Sequence, residues 1–262
     1  MNFSSLLGIS IGITVMYKAL TLTSPDLGFF MDYHGILIVC GGTLAAAGIS
    51  FPIIDILKLV RVFFVRIIFG HTVDFEQTIT DLLELNKKSG IGGTAISEML
   101  PALKNDFLRE SVSLVVTGVL TEPELRATLE QRLKTVETRY MQEANMFRII
   151  GKFPPAFGLL ATTLGMIGLL QKIGQPDSQK LIGPAMSVGL IGTLWGIAMA
   201  NLIFIPIAEN LTERTHEEIA LRRLILEGVV LLKQQANPIT MRERLNSYLL
   251  PKQRVTKKPT AG

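Results

Sequence analysis

Thr162 and Thr163 stand in the middle of "FPPAFGLLATTLGMIGLLQK", a segment without charge from Phe153 to Leu170. Ser187, Thr193 and Asn201 interrupt a second uncharged run, Leu181 to Ala208. A polar side chain in lipid needs a partner or a role. A threonine hydroxyl carries one proton and two lone pairs, so it can bond the carbonyl four residues back in its own helix or line a polar path for an ion. At about 1.5 Å per residue, Thr162 lies about 10 Å along the helix from Pro155 and Thr193 about 20 Å from Pro206. Both are expected at mid-span. Neither run contains Asp, Glu, Lys, Arg or His. A cation path needs an ionisable group at depth, so a partner chain is expected to bring the acid.

The elements that must position these hydroxyls follow from hydropathy. Of 262 residues 48% are hydrophobic and only 18% charged, and the mean hydropathy of +0.39 is too high for an ordinary soluble domain. Four runs reach the length of a spanning helix: Met1 to about Leu22, Gly35 to Ile54, Phe153 to Leu170 and Leu181 to Ala208. The first has no basic residue before it and no small-residue cleavage site after it, so it reads as a retained anchor. The expected fold is an all-α integral membrane protein with four transmembrane helices, a large helical cytoplasmic loop and two long helices extending from the membrane. Its segments are 1–54 (helices 1 and 2), 55–152 (interfacial helix and cytoplasmic domain), 153–208 (helices 3 and 4, lining the ion path) and 209–262 (cytoplasmic helix and disordered tail). Cys40 is the one cysteine and lies inside an apolar run, which leaves no disulfide or Cys-based metal site within one chain.

All but three of the 26 Lys and Arg residues fall between the second and third runs or after the fourth. Lys18, Lys172 and Lys180 are the exceptions, and each can snorkel to an interface. The link "TSPDLGFFMDYH" carries Asp26 and Asp32 and no basic residue. Positive charge collects on the cytoplasmic side, so both termini and the large loop are expected there, in a multi-pass membrane protein. The same distribution accounts for the net charge of +4 without nucleic acid.

After Pro52, "IIDILKLVRVFFVRIIFG" places Asp55, Lys58, Arg61 and Arg66 in one sector of a helix whose remainder is apolar, the pattern of a helix lying along the inner leaflet. A short soluble helix is expected around Ile79, Leu82 and Leu83, ending at Gly90 to Gly93. Thr121 and Glu124 have the spacing of a capping box. From there Leu125, Leu129, Leu133, Val136, Tyr140 and Phe147 give one apolar face for about seven turns, interrupted by Gly151, Pro154 and Pro155. Beyond Ala208 the chain reads as helix up to Gly228, with Leu211, Ile219, Leu224 and Leu232 recurring. The tail "KQRVTKKPTAG" has no periodicity.

Other chemistry is poorly supplied. "HEEIA" at His216 has Ala220 where a zinc-binding helix would carry its second histidine. His34 and His71 stand alone. No phosphate-binding glycine loop, nucleophile elbow or paired catalytic group is found, so an enzyme is not expected. A solute carrier of repeated halves with broken helices is not expected either. Glycines instead cluster within the apolar runs, at Gly41 and Gly42, Gly165 and Gly168, and Gly192 and Gly196, where they allow close helix approach and suggest assembly.

"PPAFGLLATTLGMIGLL", "IGPAMSVGLIGTLWGIAMANLIFIPIAENL" and "RRLILEGVVLLKQQANPITMRERLNSYL" resemble the MotA/PomA family of flagellar motor stator proteins. The likeness extends over nearly the whole chain, with the motifs concentrated in the third and fourth apolar helices. The resemblance implies a complex of the bacterial inner membrane, a pentamer of this chain around two copies of a MotB/PomB-type single-span protein whose membrane aspartate carries the ion. That partner would supply the missing acid. It also implies that Pro155 and Pro206 are coupling prolines, that Thr162, Thr163 and Thr193 line the ion path, and that no cofactor is held beyond the transported Na+ or H+. Thr162 falls where sodium-driven members carry threonine, which leans toward sodium. The family's contact with the rotor protein FliG maps onto Lys87 and Lys88 before the glycine turn and Glu98 after it, with the basic half matching better than the acidic half. The alternative is an ExbB/TolQ-type energiser of an envelope process, which has one fewer helix before the large loop.

Overall fold

The computed structural model describes residues 3–68, 73–89, 93–171, 173, 178–251 and 254. His71, Gly90, Lys172 and nearly all of the tail after Pro251 lie outside these residues. Every regular element among the described residues is helical. The chain divides into two units, Met1–His71 with Met141–Thr212 and Thr72–Tyr140 with Glu213–Gly262.

The first unit opens with α1 (Phe3–Thr23), a 21-residue helix. A single 3-10 turn, Leu27–Phe30, follows, with the Asp26 carboxylate accepting from the Gly28 N–H. Helix α2 (Tyr33–Ser50) is capped by Asp32, which accepts from the Gly35 N–H. Pro52 then ends it for a steric reason: the residue before a proline is driven out of the helical region, and Phe51 is extended at φ −138°, ψ 148°. The chain turns into α3 (Ile53–Val62), whose last residues widen into a π-helical stretch, Phe63–Ile68. Leu59 of α3 is buried with Ala47, Ala144, Phe147, Ile150, Ala208 and Leu211.

The same unit holds the end of α7 (Glu122–Ile150), all of α8 (Phe153–Leu170) and α9 (Ser178–Met199), and the start of α10 (Ile205–Lys233). Pro154 and Pro155 occupy the first turn of α8, where the missing N–H groups have no helical acceptor to satisfy. Helix α8 lies along α9, and α2 packs on both. Three helical stretches of the described chain are long and apolar enough to cross a membrane: Leu27–Ser50, Glu122–Leu170 and Ile182–Lys233.

The second unit has its own core, built from α4 (Phe75–Ser89), α5 (Gly93–Ser97), α6 (Asp106–Thr117), the first part of α7, the last part of α10, and α11 (Pro238–Asn246). Leu82, Leu108, Leu125, Leu129, Leu224 and Leu232 are among its buried side chains. Helix α6 has clear local signals. Asn105 accepts from the Leu108 N–H at 3.0 Å at its start, and Gly118 ends it in the left-handed region at φ 67°. At the start of α7 the Glu124 carboxylate accepts from both the N–H (2.8 Å) and the hydroxyl (2.6 Å) of Thr121, and these bonds hold its carboxyl below the usual glutamate range.

Gly228 does not end the last long helix, as its residue type alone suggests. It lies inside α10, and a Cβ there would meet Leu82 Cδ1 at 2.5 Å. The glycine serves the approach of α4, and α10 continues to Lys233. Glu227, beside it, accepts from Arg126 at 3.0 Å and Arg244 at 3.2 Å, tying α7, α10 and α11 together.

Candidate functional site

Thr162 and Thr193 meet. Their hydroxyl oxygens lie 2.7 Å apart across the α8–α9 crossing. Thr162 Oγ1 is also 2.8 Å from the Gly189 carbonyl and 3.2 Å from that of Gly158, and Thr193 Oγ1 is 3.1 Å from the Gly158 carbonyl. Four oxygens from two helices thus share two hydroxyl protons. Two assignments satisfy the geometry. In one, Thr193 donates to Thr162, which donates to Gly189 or, at longer range, to Gly158; in the other, Thr162 donates to Thr193, which donates to Gly158. Either leaves acceptor capacity over, because each carbonyl and hydroxyl oxygen has two lone pairs.

The backbone explains how the hydroxyls come so close. Thr162 follows Gly158 by one turn in "GLLAT", and Thr193 follows Gly189 by one turn in "GLIGT". Each glycine lies against the other helix's threonine. A Cβ on Gly158 would stand 2.8 Å from Thr193 Cα, and one on Gly189 would stand 2.6 Å from Thr162 Cα. Both glycines are buried, and both threonines are half-buried. The repeated spacing of glycine and threonine was the available signal for the two glycines, and neither stood out as a site residue from the sequence. Of the glycines that did, Gly42, Gly165, Gly192 and Gly196 sit at close approaches, whereas Gly41 and Gly168 have open space.

Thr163 points elsewhere. It is exposed and donates to the Leu159 carbonyl at 3.0 Å, a bond within its own helix. Asn201 is likewise exposed and donates to Ile197. Pro155 lies near the crossing's lower end, with its Cα 3.2 Å from where a Cβ on Gly196 would be. Pro206 is exposed in the first turn of α10, directly after a π-helical turn, Ala200–Phe204. There the Ile205 N–H reaches back five residues to the Ala200 carbonyl. A proline at 206 offers no N–H to Leu202, and in a regular helix its ring would strike that carbonyl, so the wider turn relieves the clash. The proline was visible in the sequence; the turn was not.

The indole N–H of Trp195, two residues past Thr193, donates to the Phe30 carbonyl at 2.7 Å. Lys87 and Lys88 are exposed in the last turn of α4. Glu98 is exposed just beyond α5. The three belong to the second unit and take no part in the threonine cluster.

The MotA/TolQ/ExbB proton channel family model matches residues 100–224. The chain is 30% identical to chemotaxis protein PomA of Vibrio alginolyticus over 95% of its own length and 96% of that protein's. It is 29% identical to motility protein A of Borreliella burgdorferi over 97% and 96% respectively. Its fold superposes on the structure of C. jejuni MotAB with a TM-score of 0.86 at 20% identity, covering 98% of this chain and all of that one. The flagellar MotAB stator complex from Bacillus subtilis gives 0.84 at 25% identity over 96% and 98%. With a full-length relative at this identity and a matching helical fold, the chain belongs to the MotA/PomA family of flagellar stator proteins.

Proposed function

We propose that this chain is a stator subunit of a bacterial flagellar motor, coupling cation flow across the inner membrane to torque on the rotor. The observation that carries the reading is the set of four oxygens around Thr162 and Thr193, which has spare acceptor capacity in two apolar runs that lack any ionisable residue. Such a cluster can help desolvate a hard cation or pass a proton, but it cannot hold the cation's counter-charge. A single-span partner of the MotB/PomB type, with an aspartate in its membrane helix, would supply that charge. In this reading the chain spans the membrane four times with both termini cytoplasmic, and about five copies surround the partner. The ion is cargo, with no resident cofactor. The names of the full-length relatives support the motor over an ExbB/TolQ-type energiser.

Thr162 places the reading on the side of sodium. Sodium gives up water only where other oxygens replace it, whereas a proton needs only a carboxylate and a hydroxyl or water chain. Thr162→Ala removes the hydroxyl that touches three of its neighbours' oxygens, and Thr163→Ala removes one bonded only within its helix. Swimming speed against sodium concentration is therefore expected to drop sharply for Thr162→Ala and little for Thr163→Ala. Equal behaviour of the two variants would reduce Thr162 to a packing residue. A wild type indifferent to sodium would move the ion to H+.

The rotor contact is assigned to Lys87 and Lys88, with Glu98 as the acidic counterpart on the same unit. Exposed charges contribute little to folding, so the double reversal Lys87→Glu with Lys88→Glu is expected to leave the protein at normal abundance. Their field acts instead on an oppositely charged partner such as FliG, and salt weakens it. Swimming should fall and recover with a compensating charge change on the rotor. Normal swimming of the double variant would place the contact elsewhere.

A further inference from the structure

Helix α3 is apolar on two sides. Leu59 faces inward and is buried in the first unit. Ile53, Leu57, Val60 and Phe64, spaced by four, three and four residues, form a second stripe that is open, with exposures of 70%, 65%, 56% and 49%. Three cations accompany the helix, and they differ. Lys58 pairs with Asp55 at 2.6 Å, and Arg66 pairs with Glu143 at 3.1 Å in a half-buried contact. Arg61 is exposed and has no carboxylate partner among the described residues. Its position on the helix sets it beside Leu57, Ile54 and Phe64, so its guanidinium is the unneutralised charge of the open apolar face.

We propose that Arg61 and the Ile53–Leu57–Val60–Phe64 stripe bind an anionic glycerophospholipid, the guanidinium taking the headgroup phosphate and the stripe lying against the acyl chains. The height is right, because α3 follows Pro52 at the end of the apolar stretch Leu27–Ser50, and the site rests on reading that stretch as a span. A planar guanidinium matches two phosphate oxygens at once, and its aliphatic stem can lie along Leu57 while the head reaches the headgroup layer. The paired Lys58 and Arg66 cannot act in the same way without giving up Asp55 and Glu143. The ion pairs thus leave one residue to read lipid charge.

The test is native mass spectrometry of the full chain in neutral detergent, with dioleoylphosphatidylglycerol or dioleoylphosphatidylcholine added at equal mole fraction and inorganic phosphate as a third arm. One basic residue near an anionic surface contributes roughly 1 kcal/mol, so wild type is expected to take up the phosphatidylglycerol about fivefold better at 1.4 kcal/mol per tenfold. R61Q should lose that preference. K58Q, altered on the same helix at a cation already paired, should keep it. Inorganic phosphate should not displace the lipid, since it has no acyl chains for the stripe. Equal uptake of the two lipids by wild type, or an undiminished preference in R61Q, overturns the site and assigns the stripe to a protein neighbour such as a second copy of this chain. Displacement by inorganic phosphate overturns the role of the stripe. The readout is lipid uptake, so none of these failures touches the stator reading, which stands on swimming.

Discussion

Gly189→Val is expected to strip the chain from the membrane fraction, or to leave it there in a form that no longer assembles. A Cβ at position 189 falls 2.6 Å from Thr162 Cα and 3.3 Å from its Cβ and hydroxyl. The obstacle is backbone, which cannot rotate away as a side-chain tip can, so α8 and α9 must part. Parting them breaks the 2.7 Å bond between the threonine hydroxyls and the 2.8 Å bond from Thr162 to the Gly189 carbonyl. Overpacking of this kind costs roughly 1–3 kcal/mol, and each lost bond adds about 1 kcal/mol. Gly168→Val, on α8 but with nothing within 4 Å of its Cβ position, is the matched control and should be recovered normally. Immunoblots of membrane fractions compare the two. Equal recovery would mean that the crossing adapts and that the glycines are not what holds the threonines together.

Pro206→Leu should do the opposite, leaving abundance near normal and abolishing rotation. Leucine restores an N–H and removes the ring that forbids a regular turn, so the wide turn at Ala200–Phe204 loses its cause and α9 can run into α10 as ordinary helix. Closing a π turn rotates everything on one side of it relative to the other, which would misdirect Thr193 against the remainder of α10. If rotation depends on bending at this point when a bound charge changes, a continuous helix removes the hinge while keeping the packing. Swimming assays beside membrane abundance measure both halves. A fully motile Pro206→Leu strain would show that the proline and its turn are incidental to coupling.

Much of this could be read from residues alone. Apolar runs, Pro52, the paired prolines at 154 and 155, and the Thr121–Glu124 box each act through local rules, and the helices begin and end where those rules apply. The threonine pair was half legible. Type and depth singled out Thr162 and Thr193, but their partners are carbonyls, which every residue possesses and no side-chain pattern announces. Gly228 shows the limit from the other side. As a residue type it reads as a stop, yet the packing of Leu82 against it decides the matter. The turn at Ala200–Phe204 is a choice among backbone hydrogen bonds, and the sequence marks only its cause, Pro206. Helix α6 has no long apolar run to announce it, and its signals are the two residues that bracket it, Asn105 and Gly118.

Trp195 is the sole tryptophan of the chain, and its indole N–H is held by the Phe30 carbonyl. The protein therefore carries a single native fluorophore of its kind, anchored by a polar bond between α9 and the Leu27–Phe30 turn. Its emission reports one place, without labelling and without background from a second indole. Any movement of the Leu27–Phe30 turn against α9 changes the surroundings of that indole, so the contact comes with a built-in optical probe.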